Sequence, residues 1–277
     1  MTSNTLSTST TGALPRPVPQ RTGRLLRLAT QAGVIALALL LWWFASATLP
    51  EATMPSPVET LARMGQLALT GGFWDAVGQT LLTFAAGLLI CTAVGVPVGL
   101  AIGWSSIATQ STRLVFDFLR TIPPIAILPL VLLIYGPTFE MVLVVVVLGA
   151  IWPILIQSVY AARQGESLLA EMSASFRVPR RWFVTHVFFP GSLPFVMTGL
   201  RVGTTICLLL TITGELLSGA PGIGFQIQDA QLSLDTPRMY AYVLVSAVLG
   251  LLVNGGFWSA QRYLLRWHAS NRKESAR

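Results

Sequence analysis

The chain has 277 residues, of which 53% are hydrophobic and only 10% are charged. An ordinary soluble domain is about 25% charged, so these few charges cannot cover a globule in water. Four apolar runs without Asp, Glu, Lys or Arg have about the length that crosses a bilayer: 32–50, 76–112, 141–162 and 239–261. The composition predicts a polytopic membrane protein. The formal charge of +7 then indicates orientation in the membrane, not binding to nucleic acid.

The N-terminal segment, residues 1–30, is predicted to be a disordered cytoplasmic tail, because its first two dozen residues are rich in Ser, Thr and Pro. A first membrane helix follows at about 31–49. A cleaved signal peptide is the alternative, since Ala45-Ser46-Ala47 resembles a cleavage site. The long polar leader and the Trp42-Trp43 pair favour the membrane helix.

Five further membrane helices are predicted, at about 76–103, 114–135, 139–161, 191–217 and 239–265. A segment containing Pro55 and Pro57 precedes them and is predicted to lie at the membrane surface. The transmembrane domain spans 31–267, and residues 268–277 form a cytoplasmic C-terminal tail. The predicted fold class is all-α, with six transmembrane helices.

Orientation follows from the Lys and Arg residues near the helix ends, which concentrate on the cytoplasmic side. With both termini inside, the opposite side carries only Arg63 and Arg238. The inner side carries Arg16, Arg21, Arg24, Arg27, Arg113, Arg163, Arg177, Arg180, Arg181, Arg262, Arg266, Arg272, Lys273 and Arg277.

Gly95, Gly99 and Gly103 recur every four residues and lie on one face of the second membrane helix. Small residues at this spacing allow close approach of membrane helices. We predict a packing role, either within one subunit or across a homodimer.

Two kinds of residue are candidates for a translocation path. Pro123 and Pro124, with Pro129, interrupt the third helix and free backbone carbonyls. Charged residues inside membrane helices are costly and are therefore functional candidates; these are Asp117, Arg120, Arg201 and Glu215. Asp117 and Arg120 are three residues apart, so a local ion pair is the simpler interpretation for them.

The longest loop of the arginine-rich side, about 163–189, contains a short helix that is expected to end at Val178-Pro179. The residue before a proline avoids the helical conformation, and Pro179 can start a second helix. This helix–turn–helix resembles the EAA loop of binding-protein-dependent ABC transporter permeases, with Glu171 at the acidic position and Pro190 at the terminal proline.

Flanking motifs resemble the nitrate/sulfonate/taurine group of that family: 119–124 with 128–130, 193–194 with 199–201, and 214–216 with 222–224. The resemblance covers about residues 30–265. The chain departs from the family where Met172 and Ser173 replace two alanines, Phe189 replaces leucine, and Arg177 occupies the glycine of the turn. A left-handed conformation costs a non-glycine residue about 1–2 kcal/mol. Either Arg177 adopts a different turn or Val178-Pro179 supplies the break.

The resemblance implies a type I importer permease with a methionine-importer-like fold, working as a homodimer in the bacterial inner membrane. It implies two ABC ATPase subunits and a periplasmic or lipid-anchored solute-binding protein as partners. The ATPase-coupling residues would be Glu171, Met172, Ser173, Ala174, Arg177 and Pro179. The solute implied is a small anion such as a sulfonate, taurine, nitrate or an aromatic acid.

We expect no enzymatic activity and no directly bound cofactor or metal. A Walker A loop requires a lysine after glycine, and the only lysine, Lys273, follows Arg272. ATP and Mg²⁺ would therefore bind the partner ATPases. An ion-coupled secondary transporter, an intramembrane enzyme and a heterodimeric permease remain as alternatives.

Overall fold

The computed structural model describes residues 20–49, 53–164, 172–173 and 175–266. Throughout these residues the secondary structure is helical, which confirms the all-α prediction. Within these described ranges, five helices are long and apolar enough to cross a membrane, or six if one bent pair counts as a single span.

The first helix, α1, covers Gln20–Thr48 and runs through Ala45-Ser46-Ala47. It begins before residue 31, where the sequence predicts its start, although its apolar part is Ala29–Thr48. Helix α2, Pro57–Leu67, is a short surface helix. Ser56 caps it by accepting a hydrogen bond from the Glu59 backbone N–H at 3.2 Å, the usual contact of an N-cap serine.

The central helices are α3, Gly71–Gly103, α6, Phe139–Gln164, and α8, Phe189–Ser218. They bury one continuous apolar core, which includes the free cysteines Cys91 and Cys207. Cβ atoms built on Gly87, Gly95 and Gly103 of α3 would meet Val146, Ile154 and Ala162 of α6 in that order. The two helices are therefore parallel, and the chain between them must cross back.

That crossing consists of two helices, α4, Ser106–Leu119, and α5, Pro124–Tyr135, with a bend of 75° between them. The predicted single helix at 114–135 is therefore wrong in its bounds. Helix α4 starts earlier, because Ser105 caps it by accepting from the Ala108 N–H at 3.3 Å. The break follows because Pro123 keeps an extended conformation before Pro124, with ψ 121°.

Helix α7, Arg180–Phe183, continues through a π-helical segment, Val184–Phe188, into α8. The Phe189 N–H donates to the Val184 carbonyl, five residues back. Pro190 follows directly, and a proline ring clashes with the carbonyl four residues earlier in a regular α-helix. The wider π turn is a common accommodation of such local strain.

The chain ends with α9, Ile223–Leu232, and α10, Thr236–Leu264. Helix α8 runs antiparallel to α6, since Gly199 faces Gln157 while Gly214 faces Val142. The bundle thus has two ends. The coupling end contains Trp104, α7 and Leu264, and the loop end contains α2, α9 and the start of α10.

Candidate translocation bundle and coupling segment

A buried carboxyl group lies at the loop end of the bundle. Glu215, in the last turn of α8, has no solvent-exposed surface. Its Oε2 accepts a hydrogen bond from Thr80 Oγ1 of α3 at 2.9 Å and another from the Gly224 N–H at 3.0 Å. Thr80 Oγ1 in turn accepts from the Ile223 N–H at 2.9 Å. The group therefore joins α3 and α8 to the start of α9.

The loop between α8 and α9 fits this carboxyl group because it contains glycine. Gly219 ends α8 in the left-handed conformation, with φ 75°. Gly222 has φ 156° and lies directly against the Glu215 carboxyl group, so a Cβ there would overlap it. The 219–224 loop is thus packed onto Glu215 inside the protomer.

Ion pairs hold the neighbouring helices at the same end. Arg63 of α2 contacts Asp235 Oδ2 at 3.1 Å, and Arg238 of α10 contacts Asp229 of α9 at 2.9 Å. Asp235 also caps α10 by accepting from the Arg238 N–H at 3.1 Å. The pairing of Arg63 with Asp235, like that of Thr80 with Glu215, was not predicted from the sequence, because the partners are 172 and 135 residues apart.

The three glycines of α3 lie against α6 within the same protomer. A Cβ on Gly99 would come within 2.5 Å of the Leu155 carbonyl oxygen, and one on Gly103 within 2.5 Å of the Val159 carbonyl oxygen. Gly95 is slightly less crowded, at 3.2 Å from the Ile154 side chain. Glycine lets the two helix backbones come this close.

The predicted translocation residues lie in different places. Arg120 ends α4 and forms the expected ion pair with Asp117, at 3.1 Å. Pro123 and Pro124 form the α4–α5 bend, and Pro124 packs beside Gly149 of α6. Arg201 is exposed in α8 and lines a groove that faces α10. The sequence did not identify Asn254, which lines the same groove.

The coupling segment is described at Met172, Ser173 and 175–179, whereas Glu171 and Ala174 lie outside the described residues. The Val178 N–H donates to the Ser173 carbonyl at 2.9 Å, five residues back, and Arg177 has φ 51°. This is a Schellman helix end with arginine at the position that usually holds glycine. Arg177 therefore adopts the left-handed conformation itself. Pro179 follows and precedes α7.

We expect Arg177→Gly to stabilise this turn by about 1 kcal/mol, because glycine adopts a left-handed conformation without steric cost. Hydrogen exchange of the Val178 amide should slow by about fivefold. Leu234→Gly is a matched comparison, since Leu234 has φ 58° and the Asp235 N–H closes the same kind of turn on Ala230. If Arg177→Gly lowers ATP-driven uptake, the guanidinium makes a specific contact with the ATPase.

The coupling end also carries most of the described basic residues. Arg63 and Arg238 lie at the loop end. The described arginines at or near the coupling end are Arg113, Arg163, Arg177, Arg180, Arg181, Arg262 and Arg266. Trp104 packs on Phe188 with ring centroids 4.7 Å apart, which ties α3 to the π-helical segment there.

A bundle of long apolar helices with proline breaks, few charges in its spans and an arginine-rich end is the architecture of a polytopic membrane protein. Residues 95–263 match the model of the family described as binding-protein-dependent transport system inner membrane component. The chain belongs to this family of ABC transporter permeases, which confirms the predicted resemblance. Such permeases are non-catalytic, multi-pass inner-membrane subunits that work with an ATPase and a solute-binding protein.

Two curated relatives resemble most of the chain. The taurine transport system permease protein TauC of Escherichia coli (strain K12) is 26% identical over 243 residues, 85% of this chain and 88% of that protein. The nitrate import permease protein NrtB of Synechocystis sp. (strain ATCC 27184 / PCC 6803 / Kazusa) is 29% identical over 229 residues, 79% of this chain and 83% of that protein.

A solved structure shares the fold. A chain of the MetNI methionine ABC transporter, in an inward-facing conformation, superposes with a TM-score of 0.61 at 17% sequence identity. The match covers 71% of this chain and 98% of that chain. The predicted methionine-importer-like fold is thereby confirmed.

Proposed function

We propose that this permease forms the membrane path of an ATP-driven importer for a small oxyanion, as a homodimer of two copies bound to two ATPase subunits. The observation that carries the proposal is the coupling segment. Its short helix exposes Met172 to 48% and Phe176 to 77%, at the end of the molecule richest in arginine. Exposed apolar side chains on a short helix with a defined end are suited to bind in an apolar groove on a partner protein.

The helical connection behind this segment supports a mechanical role. Arg180 starts α7, and the helical path continues through the π-helical segment to Ser218 without a described interruption. A displacement of the coupling segment would therefore reach Glu215 at the opposite end along one element. Closure of the two ATPases on ATP would draw the two segments together and convert the path from inward-open to outward-open.

The class of solute is inferred from the relatives. TauC is named for taurine and NrtB for nitrate. Taurine carries a sulfonate and nitrate is itself an oxyanion, so a small oxyanion is the shared chemistry. Such a solute also suits the candidate path, where Arg120 and Arg201 are basic and the bend at Pro123 and Pro124 lies nearby in the chain. Delivery would come from a periplasmic or lipid-anchored binding protein.

The proposed orientation places the coupling end and both termini in the cytoplasm. The excess of arginine at that end supports this orientation through the positive-inside rule. The ATPases would then bind at the coupling end, and the solute-binding protein would dock at the loop end beside α2 and α9. A homodimer would bring two coupling segments to the two ATPases.

The docking claim predicts that Met172→Asp and Phe176→Asp each abolish co-purification of the ATPase, because a buried unpaired carboxylate opposes docking into an apolar groove. Membrane insertion should be unchanged. Leu234→Asp is the control, since Leu234 is 86% exposed but lies at the loop end. Pull-down of the ATPase from solubilised membranes measures the result. Retained ATPase binding in both coupling variants contradicts the docking claim.

A second measurement distinguishes the proposed ATP-driven importer from an ion-coupled secondary transporter. Purified permease without ATPase should transport no solute into vesicles, whatever ion gradient is applied. Gradient-driven uptake of taurine or nitrate by the permease alone would instead establish an ion-coupled secondary transporter.

A further inference from the structure

A groove of about 400 Å³ lies between α8 and α10 and is lined by four polar residues. Arg201, Thr204 and Thr205 come from α8, and Asn254 comes from α10. The rest of its lining is small or apolar. A mainly apolar cavity with a few convergent polar groups is the usual form of a site for a small solute.

Arg201 and Asn254 are both exposed, and neither side chain has a hydrogen-bond or ion-pair partner among the residues that the structure describes. The threonine hydroxyls differ, because they donate within α8: Thr204 to the Leu200 carbonyl at 2.7 Å, and Thr205 to the Arg201 carbonyl at 3.2 Å. Free hydrogen-bond donors in the groove therefore come from one guanidinium and one amide.

Arg201 lies well inside a membrane span. At 1.5 Å per residue, it is about 18 Å along α8 from Phe189, in a helix longer than the ~30 Å hydrocarbon core. A charged side chain at that depth is costly unless it meets water, a counter-charge or another polar group. Its exposure without a partner therefore requires an explanation outside this single protomer.

In the part of the chain that the structure describes, a second copy offers no free carboxylate at this depth. Among the residues described in the spans, most acidic side chains belong to the loop end: Asp75, Glu140, Glu215 and Asp229. Asp117 is already paired with Arg120 at 3.1 Å. If two copies faced each other across these grooves, two Arg201 side chains would point into a shared space. Their positive charges would favour the binding of an anion there.

We propose that the groove is an oxyanion-binding station on the translocation path, in which Arg201 binds the anion and the Asn254 amide donates a further hydrogen bond. A guanidinium presents several N–H donors in one plane and binds two oxygens of a sulfonate, nitrate or carboxylate together. This site rests on the proposed function, since it needs the groove to open onto an aqueous path.

The test measures access and charge at Thr205, one turn from Arg201, in the complete transporter reconstituted into vesicles of mixed orientation. Thr205→Cys is treated with an anionic methanethiosulfonate that carries a sulfonate, and in parallel with its cationic trimethylammonium counterpart. Each rate is divided by the rate of that reagent with a free thiol in solution. The parent protein supplies the background, because Cys91 and Cys207 are both fully buried.

We expect the anionic reagent to react about tenfold faster than the cationic one after this normalisation, because a single nearby positive charge attracts one and repels the other. The preference should disappear in Thr205→Cys with Arg201→Gln and persist in Thr205→Cys with Arg201→Lys. No reaction with either reagent would place the groove against lipid or protein and overturn the proposal. Equal normalised rates would also overturn it.

These reaction rates test the anion-binding site separately from the proposed import function on which it rests. Loss of ATPase binding or of ATP-driven uptake in the parent transporter would defeat the proposed function without altering the charge preference. A transporter that imports taurine or nitrate normally but shows no charge preference at Thr205 would keep the function and exclude this site.

Discussion

Glu215→Ala is expected to lower the free energy of unfolding by about 2–4 kcal/mol, because it removes a buried side chain and the acceptor for two hydrogen bonds. Thr80 and the Gly224 N–H would lose the oxygen that they now contact at 2.9 and 3.0 Å. The 219–224 loop would then lose its hydrogen bond to Glu215 of α8, while the Ile223 N–H would still donate to Thr80 of α3. Thermal unfolding of the purified permease in detergent measures the loss.

Two further variants make this result specific. Glu140→Ala removes an exposed carboxyl group at the same end of the bundle and should cost much less, about 0.3–1 kcal/mol, because its main role is that of an acidic residue in the first turn of α6. Glu215→Gln should cost less than Glu215→Ala, because the amide oxygen can still accept from both donors. Its NH₂ group would replace Oε1, which has no partner among the described residues. Equal unfolding temperatures for Glu215→Ala and the parent would show that the buried contacts contribute little.

Gly99→Ala is the second substitution with a large expected effect, because it adds a methyl group where α3 and α6 touch. The added Cβ would come within 2.5 Å of the Leu155 carbonyl oxygen and 2.6 Å of the Ser158 Cβ. The first obstacle is backbone, so it cannot rotate away and the helices must separate. Overpacking of this kind costs about 1–3 kcal/mol, and a rigid obstacle favours the upper part of that range.

Gly78→Ala is the matched control for this prediction. Gly78 lies in the same helix, and a Cβ there would meet nothing within 4 Å. Alanine is a better helix former than glycine by about 1 kcal/mol, so this variant should be as stable as the parent or slightly more stable. If both substitutions lower the unfolding temperature equally, helix contact at Gly99 is not the cause.

The coupling segment shows how much of the backbone conformation the local sequence can predict. The sequence left two options for Arg177, a different turn or a break supplied by Val178-Pro179. The structure has Arg177 at φ 51°, with the Val178 N–H bonded to Ser173. The first option is wrong, because Arg177 adopts the left-handed conformation despite its steric cost, and Pro179 then prevents continuation of the helix. The local sequence did not show that an arginine would occupy this conformation.

Run length, composition and arginine distribution predicted the all-α membrane bundle, and the order of short motifs predicted the family. These features depend on neighbouring residues and on lipid as the solvent, so they can be read along the chain. The 75° bend shows the limit, because prolines predict a break but not the angle that neighbouring helices impose.

The contacts between distant segments required the folded chain. Thr80 and Glu215 are 135 residues apart, and Arg63 and Asp235 are 172 residues apart. No periodicity connects such residues, since their meeting depends on which helices lie side by side and in which register. The same is true of the groove, where Arg201 was visible as an intramembrane charge but Asn254 joined it only through the packing of α10 on α8.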